Sequence, residues 1–482
     1  MARGHRQIEH LLRRAGFGAS LDDLTRFQDL AVTVVTDLLL NPGNDDVDSH
    51  IGEAAYVSVT TRGTFSPNTN IEDARQRWLF RMVHSPNPLV EKMALFWHNH
   101  FATAYSKVAG FAGALQGTRM MAGKPDDVGG PPGQIELIRR HALGNFRDLL
   151  VAVAKDPAML VWLDGRTNTR QRPQENFARE IMELFTFGIG NYTEQDVYAA
   201  ARIFTGWNLQ TVGSLRTTDG YYEFLYRANQ HDPGEKAFTF PIYRDGGRTI
   251  PARAGDAGLQ DGLDFINALA MHPNTARRLA AKLWSFFISE TQPPDPVFVE
   301  TAAQIYRQNN TEMRPMIRYV LRSPWFIDPS NHFARYSWPV EYVIRSVKEM
   351  GWIGYSIDNL RTPLTNMGQT LFEPPDVAGW STGEAWFSTG AMLSRMNFAA
   401  SLALNQRFNL ARAASPHGES PERLLGYFLD RMSPADFDDE PYAELLDYLR
   451  AGESWTGSQA QLNMKASGLA RLIAGSAEYQ LV

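Results

Sequence analysis

The sequence predicts a mainly α-helical protein: a large multi-helix, bundle-like domain carrying a small β-hairpin insert. Apolar residues recur at helical spacing through most of the chain. Pro or Asn stands at the start of many of these runs, where it suits a helix N-terminus. Short β-like runs with Gly-rich turns are confined to residues 213–254. The 482 residues suffice for one large domain or a few ordinary ones. The expected division is a helical region over 1–212 with the densest motifs, the insert over 213–254, and a helical region over 255–482 sharing one continuous core with the first.

In chain order, residues 71–84 form a helix ended by Ser85-Pro86, and Pro88 opens another running to about 103. Asn145 caps a helix over 146–155 that stops before Pro157. A helix over 174–187 is bounded by Pro173 and Gly188, and Thr193 with Asp196 makes a capping box for the next. Pro273 opens a helix to about 289, and further helices are expected at 294–309, 312–323, 339–350, 389–407, 420–431, 435–450 and 459–474. Residues 110–133, rich in Gly, Pro and Met, read as a long lid-like or disordered loop. In the insert, 221–226 and 237–243 read as the strands of a hairpin.

Composition excludes several function classes. The formal net charge is −6 and there is no basic–aromatic stripe, so nucleic acid is not an expected partner. The absence of cysteine removes disulfides, thiolate metal sites and cysteine nucleophiles together. No segment reaches the roughly 20 apolar residues of a membrane helix. The charged N-terminus lacks a signal core, so the chain as written reads as cytoplasmic, and as extracytoplasmic if a leader precedes it. The 11 tryptophans and 27 phenylalanines are read first as core, and second as stacking platforms for flat ligands or sugars.

The densest polar pattern is QENFAREIMELFTFGIGNYTEQDVYAAARIFTGW, residues 174–207. At about 100° per residue, Phe177, Ile181 and Leu184 form one stripe, and Asn176, Glu180, Glu183 and Phe187 a second beside it. Two carboxylates one turn apart repel, and burial would raise one pKa or call for a cation between them. That is the physics of a general acid/base pair or of a divalent-metal site. Arg179 is spaced to pair with Glu175 and Glu183, and Arg202 lies on the following helix within reach of the stripe.

The second constellation is Leu95-Phe96-Trp97-His98-Asn99-His100-Phe101. His100 shares the apolar face and points inward, whereas His98 falls on the side of Glu91, nearer solvent. His98 and His100 join Glu180 and Glu183 as candidate metal ligands. Trp97, Asn176, Arg202, Trp207, His231 of the HDPGEK loop and Asp164 of the Leu163-Asp164-Gly165 turn are the candidate substrate-binding residues. Glu180, Glu183 and His100 are the candidate catalytic ones.

These residues carry a resemblance. HLLRRAGFG at 10–18, ALFWHNHFAT at 94–103, LDG at 163–165, the block at 175–207, HDPGEK at 231–236, EPPDVAGW at 373–380 and the Arg395-Met396-Asn397-Phe398 helix resemble the bacterial family named for the domain of unknown function numbered eighteen hundred. The match runs nearly end to end, and its central block is too specific for chance. The resemblance implies an alkaline-phosphatase-like protein partner and, for many relatives, an export signal. It assigns no catalytic role.

Three functions are consistent with the sequence. The first is an enzyme with a carboxylate- and histidine-lined pocket, a hydrolase acting on a small polar or saccharide-like substrate. The second is a metal-dependent oxidoreductase in a helical bundle. The third is a non-enzymatic binding or assembly protein whose polar block fixes helix packing.

Overall fold

The computed structural model describes residues 3–43, 65–351, 357–405, 408–432 and 439–482. Within them the chain forms 24 α-helices and two small two-stranded sheets, so it is mainly α with a small β insert. Proline sets the start of Pro88–His100, Pro157–Trp162, Pro273–Phe287, Pro296–Gln308 and Pro339–Met350, where its missing N–H is no loss. Asn145 caps Phe146–Lys155 through its side chain. The Thr193–Asp196 capping box opens Glu194–Ile203. The expected helices at 389–407 and 435–450 appear as Thr389–Ala403 and Asp439–Arg450, with 406–407 and 435–438 outside the described residues.

Three expectations are corrected. Residues 110–133 are not a loop. Tyr105–Ala122 is helical except at Gly113 (φ 79°), and Pro125–Val128 adds a short turn. Arg119 holds this segment together by donating to the carbonyls of Val128 (2.7 Å), Gly129 (3.0 Å) and Gly220 (2.7 Å). Tyr221–Tyr226 pairs not with a later run but with Trp207–Val212, the residues directly after the signature helix. Gly213 (φ 66°) makes the reversal between them. The second expected strand shrinks to Lys236–Ala237, paired with Thr249–Ile250.

The third correction concerns the signature helix, which stops at Glu183 rather than 187. The amides of Leu184 and Phe185 both reach the Glu180 carbonyl, and the Thr186 hydroxyl takes the Ile181 carbonyl at 2.6 Å. Side-chain competition of this kind ends helices. The unwound turn finishes at Gly188 (φ 82°), whose amide bonds the Met182 carbonyl at 3.2 Å. It leaves the Phe185 carbonyl free to be shared with another element.

The apolar side chains form one buried cluster that reaches from Ile8 to Tyr479. Both ends of the chain close on one loop, residues 331–338. Arg14 donates to the Asn331 carbonyl at 2.5 Å, the Val482 amide bonds the Arg335 carbonyl at 2.8 Å, and the Ser337 amide bonds the Gln480 carbonyl at 2.9 Å. Under this loop lies a buried ion cluster. Glu341 takes both Arg335 nitrogens at 2.8 Å and also the Lys92 ammonium. Burial alone would raise the Glu341 carboxyl, but Arg335 and Lys92 hold it down at about 2. Trp338, at the end of this loop, lines the cavity beside His100.

Candidate functional site

The carboxylate stripe is a surface feature. Asn176 is exposed, and Glu180 and Glu183 are half-buried. Asn176 reaches Asp164 at 3.4 Å, and Asp164, in a left-handed turn (φ 60°), also faces Lys107 at 3.3 Å. Glu183 accepts from the Tyr192 hydroxyl. Arg179 spans Glu175 (3.4 Å) and Glu194 (2.7 Å), not Glu183. The Glu180 carboxylate has no hydrogen-bond or ion-pair partner among the described residues. Burial, then the neighbouring Glu183, raises its pKa.

Most remaining polar residues of the signature are structural ties. Asp196 caps its own helix and also accepts from the Thr239 amide (2.7 Å) and hydroxyl (2.6 Å), which pins the insert. Arg202 meets not the stripe but Asp232, in a two-point pair at 2.7 and 3.1 Å. His231 is buried, with Nδ1 donating to the Thr205 carbonyl at 2.9 Å and Nε2 3.3 Å from Asp261. Lys236 joins Asp261 at 2.5 Å, and Arg253 joins it at 2.8 Å. HDPGEK therefore locks the insert onto helix Leu259–Met271. Trp97 and Trp207 are 0% and 1% exposed, which places both in the core rather than against a ligand. Trp97 Nε1 donates to the Ala142 carbonyl at 3.0 Å.

His98 corrects another expectation: it is 1% exposed, not near solvent. Helix Pro88–His100 is covered on that side too, by the loop that ends in EPPDVAGW. His98 Nε2 accepts from the Phe372 amide at 3.2 Å, and burial pushes its pKa down to about 3. His98 is a neutral anchor for a strained residue, since Phe372 sits at φ 64°.

His100 opens onto a cavity of about 490 Å³. Three segments supply most of it. Helix Pro88–His100 supplies Phe96, Asn99 and His100. Helix Pro273–Phe287 supplies Arg278, Lys282 and Ser285, spaced so that they share one face. The Asp376–Thr382 loop closes the third side with Trp380, and Trp338 and Glu290 complete the wall. Asn99 fixes the loop by accepting from the Trp380 amide at 2.7 Å. Gly379 (φ 89°) is required here, because a Cβ would stand 2.6 Å from the Asn99 carbonyl oxygen. Gly206 of the other Gly-Trp pair obeys the same constraint, with a Cβ 2.6 Å from the Arg227 carbonyl oxygen.

The two central groups are neutral-leaning nitrogens. His100 Nε2 donates to the freed Phe185 carbonyl at 3.1 Å, which makes Nδ1 the acceptor that faces Lys282 Nζ at 3.0 Å. Burial, then the Lys282 and Arg278 charges, holds His100 well below its usual pKa. Lys282 has no carboxylate within ion-pair distance among the described residues. Burial, then Arg278, pushes its amine down to about 7. Arg278 links the two regions: one nitrogen donates to the Leu184 carbonyl at 3.3 Å, and the Glu183 charge acts on it from the stripe side. Glu290 is tied by the Tyr336 amide (3.0 Å) and the Gly383 amide (3.2 Å). Burial raises its pKa against the pull of Arg335.

Of the candidate catalytic, substrate-binding and metal-ligating residues, His100 alone lines this cavity, joined by Phe96 and Asn99 of its own helix and by residues of the EPPDVAGW motif. Lys282 and Arg278 were missed: their i, i+4 spacing in ARRLAAKLWSFF sets them on one helix face, but the sequence does not say what that face meets. Among the described residues, no three His, Asp or Glu side chains are gathered as for a metal ion. No helix among them is long and apolar enough to cross a membrane.

Fold and site together define a mainly helical protein with an amine- and guanidinium-lined pocket at the meeting point of its most distinctive segments. The chain belongs to the family of proteins of unknown function DUF1800, whose model matches residues 10–481. No curated protein and no solved structure matches it.

Proposed function

We propose that the protein is an enzyme acting on a small anionic substrate held in the His100 pocket, with Lys282 as its proton-transferring group. The observation that carries this reading is the Lys282–His100 contact at 3.0 Å. It is an amine with an imidazole as partner instead of a carboxylate, at the wall of a cavity of ligand size. Buried Lys92 and Lys236, by contrast, are each matched to an acid. An amine near neutrality beside a guanidinium suits general-base work on an anion, since both protonation states are populated at working pH. Aromatic walls at Phe96, Trp338 and Trp380 suit the apolar body of such a molecule.

This reading ranks above hydrolysis by the Glu180–Glu183 pair. Those carboxylates lie one turn apart on one helix, and neither lines the pocket.

Competitive acylation of the folded protein across pH tests it, with exposed Lys107 as internal reference. Lys282 is expected to reach half reactivity near pH 7 and to be protected by millimolar phosphate or oxalate. Half reactivity near the ordinary lysine value of about 10.4, without protection, would contradict it.

A further inference from the structure

Arg278, Lys282 and Ser285 form a cavity-facing row on helix Pro273–Phe287. Residues one turn apart hold their Cβ atoms about 5–6 Å from each other. A guanidinium and an amine at that spacing match a molecule whose carboxylate lies one bond from an electrophilic carbon. Among the described residues Arg278 has donors to spare: its Nε is buried without a partner, and only Nη2 is engaged, with the Leu184 carbonyl. His100 Nδ1 accepts one Lys282 hydrogen at 3.0 Å, which fixes the amine and leaves its lone pair uncommitted when neutral. His100 itself cannot drift, because its Nε2 is tied to the Phe185 carbonyl at 3.1 Å.

From this arrangement we propose that the substrates are small 2-oxo acids, and that Lys282 binds them covalently as an iminium. The inference rests on the anion-pocket reading, adds the substrate class to it, and gives the Lys282 amine a covalent role in place of general-base work. Arg278 takes the carboxylate, and the Lys282 nitrogen adds to the neighbouring carbonyl carbon. A C–N bond forms as the carbonyl π pair moves to oxygen, and one proton passes from nitrogen to that oxygen. The nitrogen lone pair then expels the hydroxyl, which leaves as water after taking a proton from solvent. Nothing is oxidised or reduced. The aromatic walls of Phe96, Phe286 and Trp380 keep bulk water from the iminium, which slows its hydrolysis. Arg278 also favours the free amine, since a nearby cation opposes protonation.

The test is borohydride trapping on the full chain with pyruvate and, separately, glyoxylate as probes, read by peptide mass mapping. The expected result is one reduced adduct, on Lys282, lost in Lys282→Arg and strongly diminished in Arg278→Met. An aldehyde without a carboxylate, such as propionaldehyde, should give far less adduct at Lys282. Circular dichroism of each variant separates loss of the site from loss of fold. If a variant is unfolded, competition of the wild-type adduct by oxalate decides, with loss of adduct expected. Adducts spread over surface lysines, or none, would overturn the inference. If phosphate and oxalate still protect Lys282 from acylation while no adduct is trapped, the covalent proposal fails and the anion-pocket reading stands. If protection also fails, both fall.

Discussion

The carboxylate stripe on helix Glu175–Glu183 and the cavity beside His100 are joined by one turn, residues 184–188, whose carbonyls take His100 and Arg278, yet they treat charge differently. On the stripe, polar groups are dense, local and wet: Arg179 bridges Glu175 and Glu194, and Glu183 takes a tyrosine hydroxyl. In the cavity they are sparse and come from segments far apart in sequence, with His100 and Lys282 in contact across 182 positions. Exposed pairs of the first kind are worth little in free energy. Dehydrated groups of the second kind have shifted proton affinities, which is what chemistry uses. The dense polar residues of this sequence are therefore cross-ties, whereas the isolated Lys282 and Arg278 line the cavity.

The largest effect expected from breaking the comparison is at the two glycines that serve these regions. Gly379→Ala should cost about 2–4 kcal/mol, because it combines a left-handed backbone with a Cβ 2.3 Å from the Asn99 Oδ1 atom. Gly190→Ala, also left-handed (φ 82°) but with open space around it, should cost only about 1 kcal/mol. Chemical denaturation of both variants checks the ranking. Similar losses would mean that the Asn99–Gly379 approach is not a constraint.

A smaller and pH-dependent effect is expected at Lys282. Its folded value of about 7 lies below the unfolded value of about 10.4. The folded state thus binds fewer protons across that window, and the wild type gains stability as pH rises through it. The penalty is fully present below about 7 and gone above about 10.4. Lys282→Met removes it, so its Tm relative to wild type should be more favourable at pH 6 than at pH 10. Glu349 and Asp156, each pushed up to about 7 by burial, are common to both proteins and cancel in the difference. A Tm difference independent of pH would show that Lys282 titrates normally.

The smallest effect is on the stripe. Glu180→Gln together with Glu183→Gln should change stability by less than about 0.5 kcal/mol, as lost carboxylate repulsion offsets the lost Tyr192 bond. It should also leave anion protection of Lys282 intact. Loss of that protection in this double variant would return the carboxylates to the site.

The helices were legible because their signals are local. Pro88, Asn145, Thr193 with Asp196, and Pro273 each mark a start that the structure keeps. The insert was legible as β but not in its pairing, because partners are chosen by neighbours that the sequence does not display. Residues 110–133 misled through their glycines, several of which sit at close approaches and not in turns. Gly117, for example, leaves only 2.8 Å between a Cβ position and Ala109. His100 was legible as an inward histidine. Its partner was not, because Lys282 on its own helix looks like an ordinary solvated lysine.

The proposed pocket holds anions beside Lys282 and not at the signature carboxylates. Anomalous diffraction from crystals soaked in bromide tests it directly. The expected result is a peak in the cavity within reach of Lys282 Nζ and Arg278, absent in Lys282→Met crystals. A cavity without a peak, or a peak that survives Lys282→Met unchanged, would contradict it.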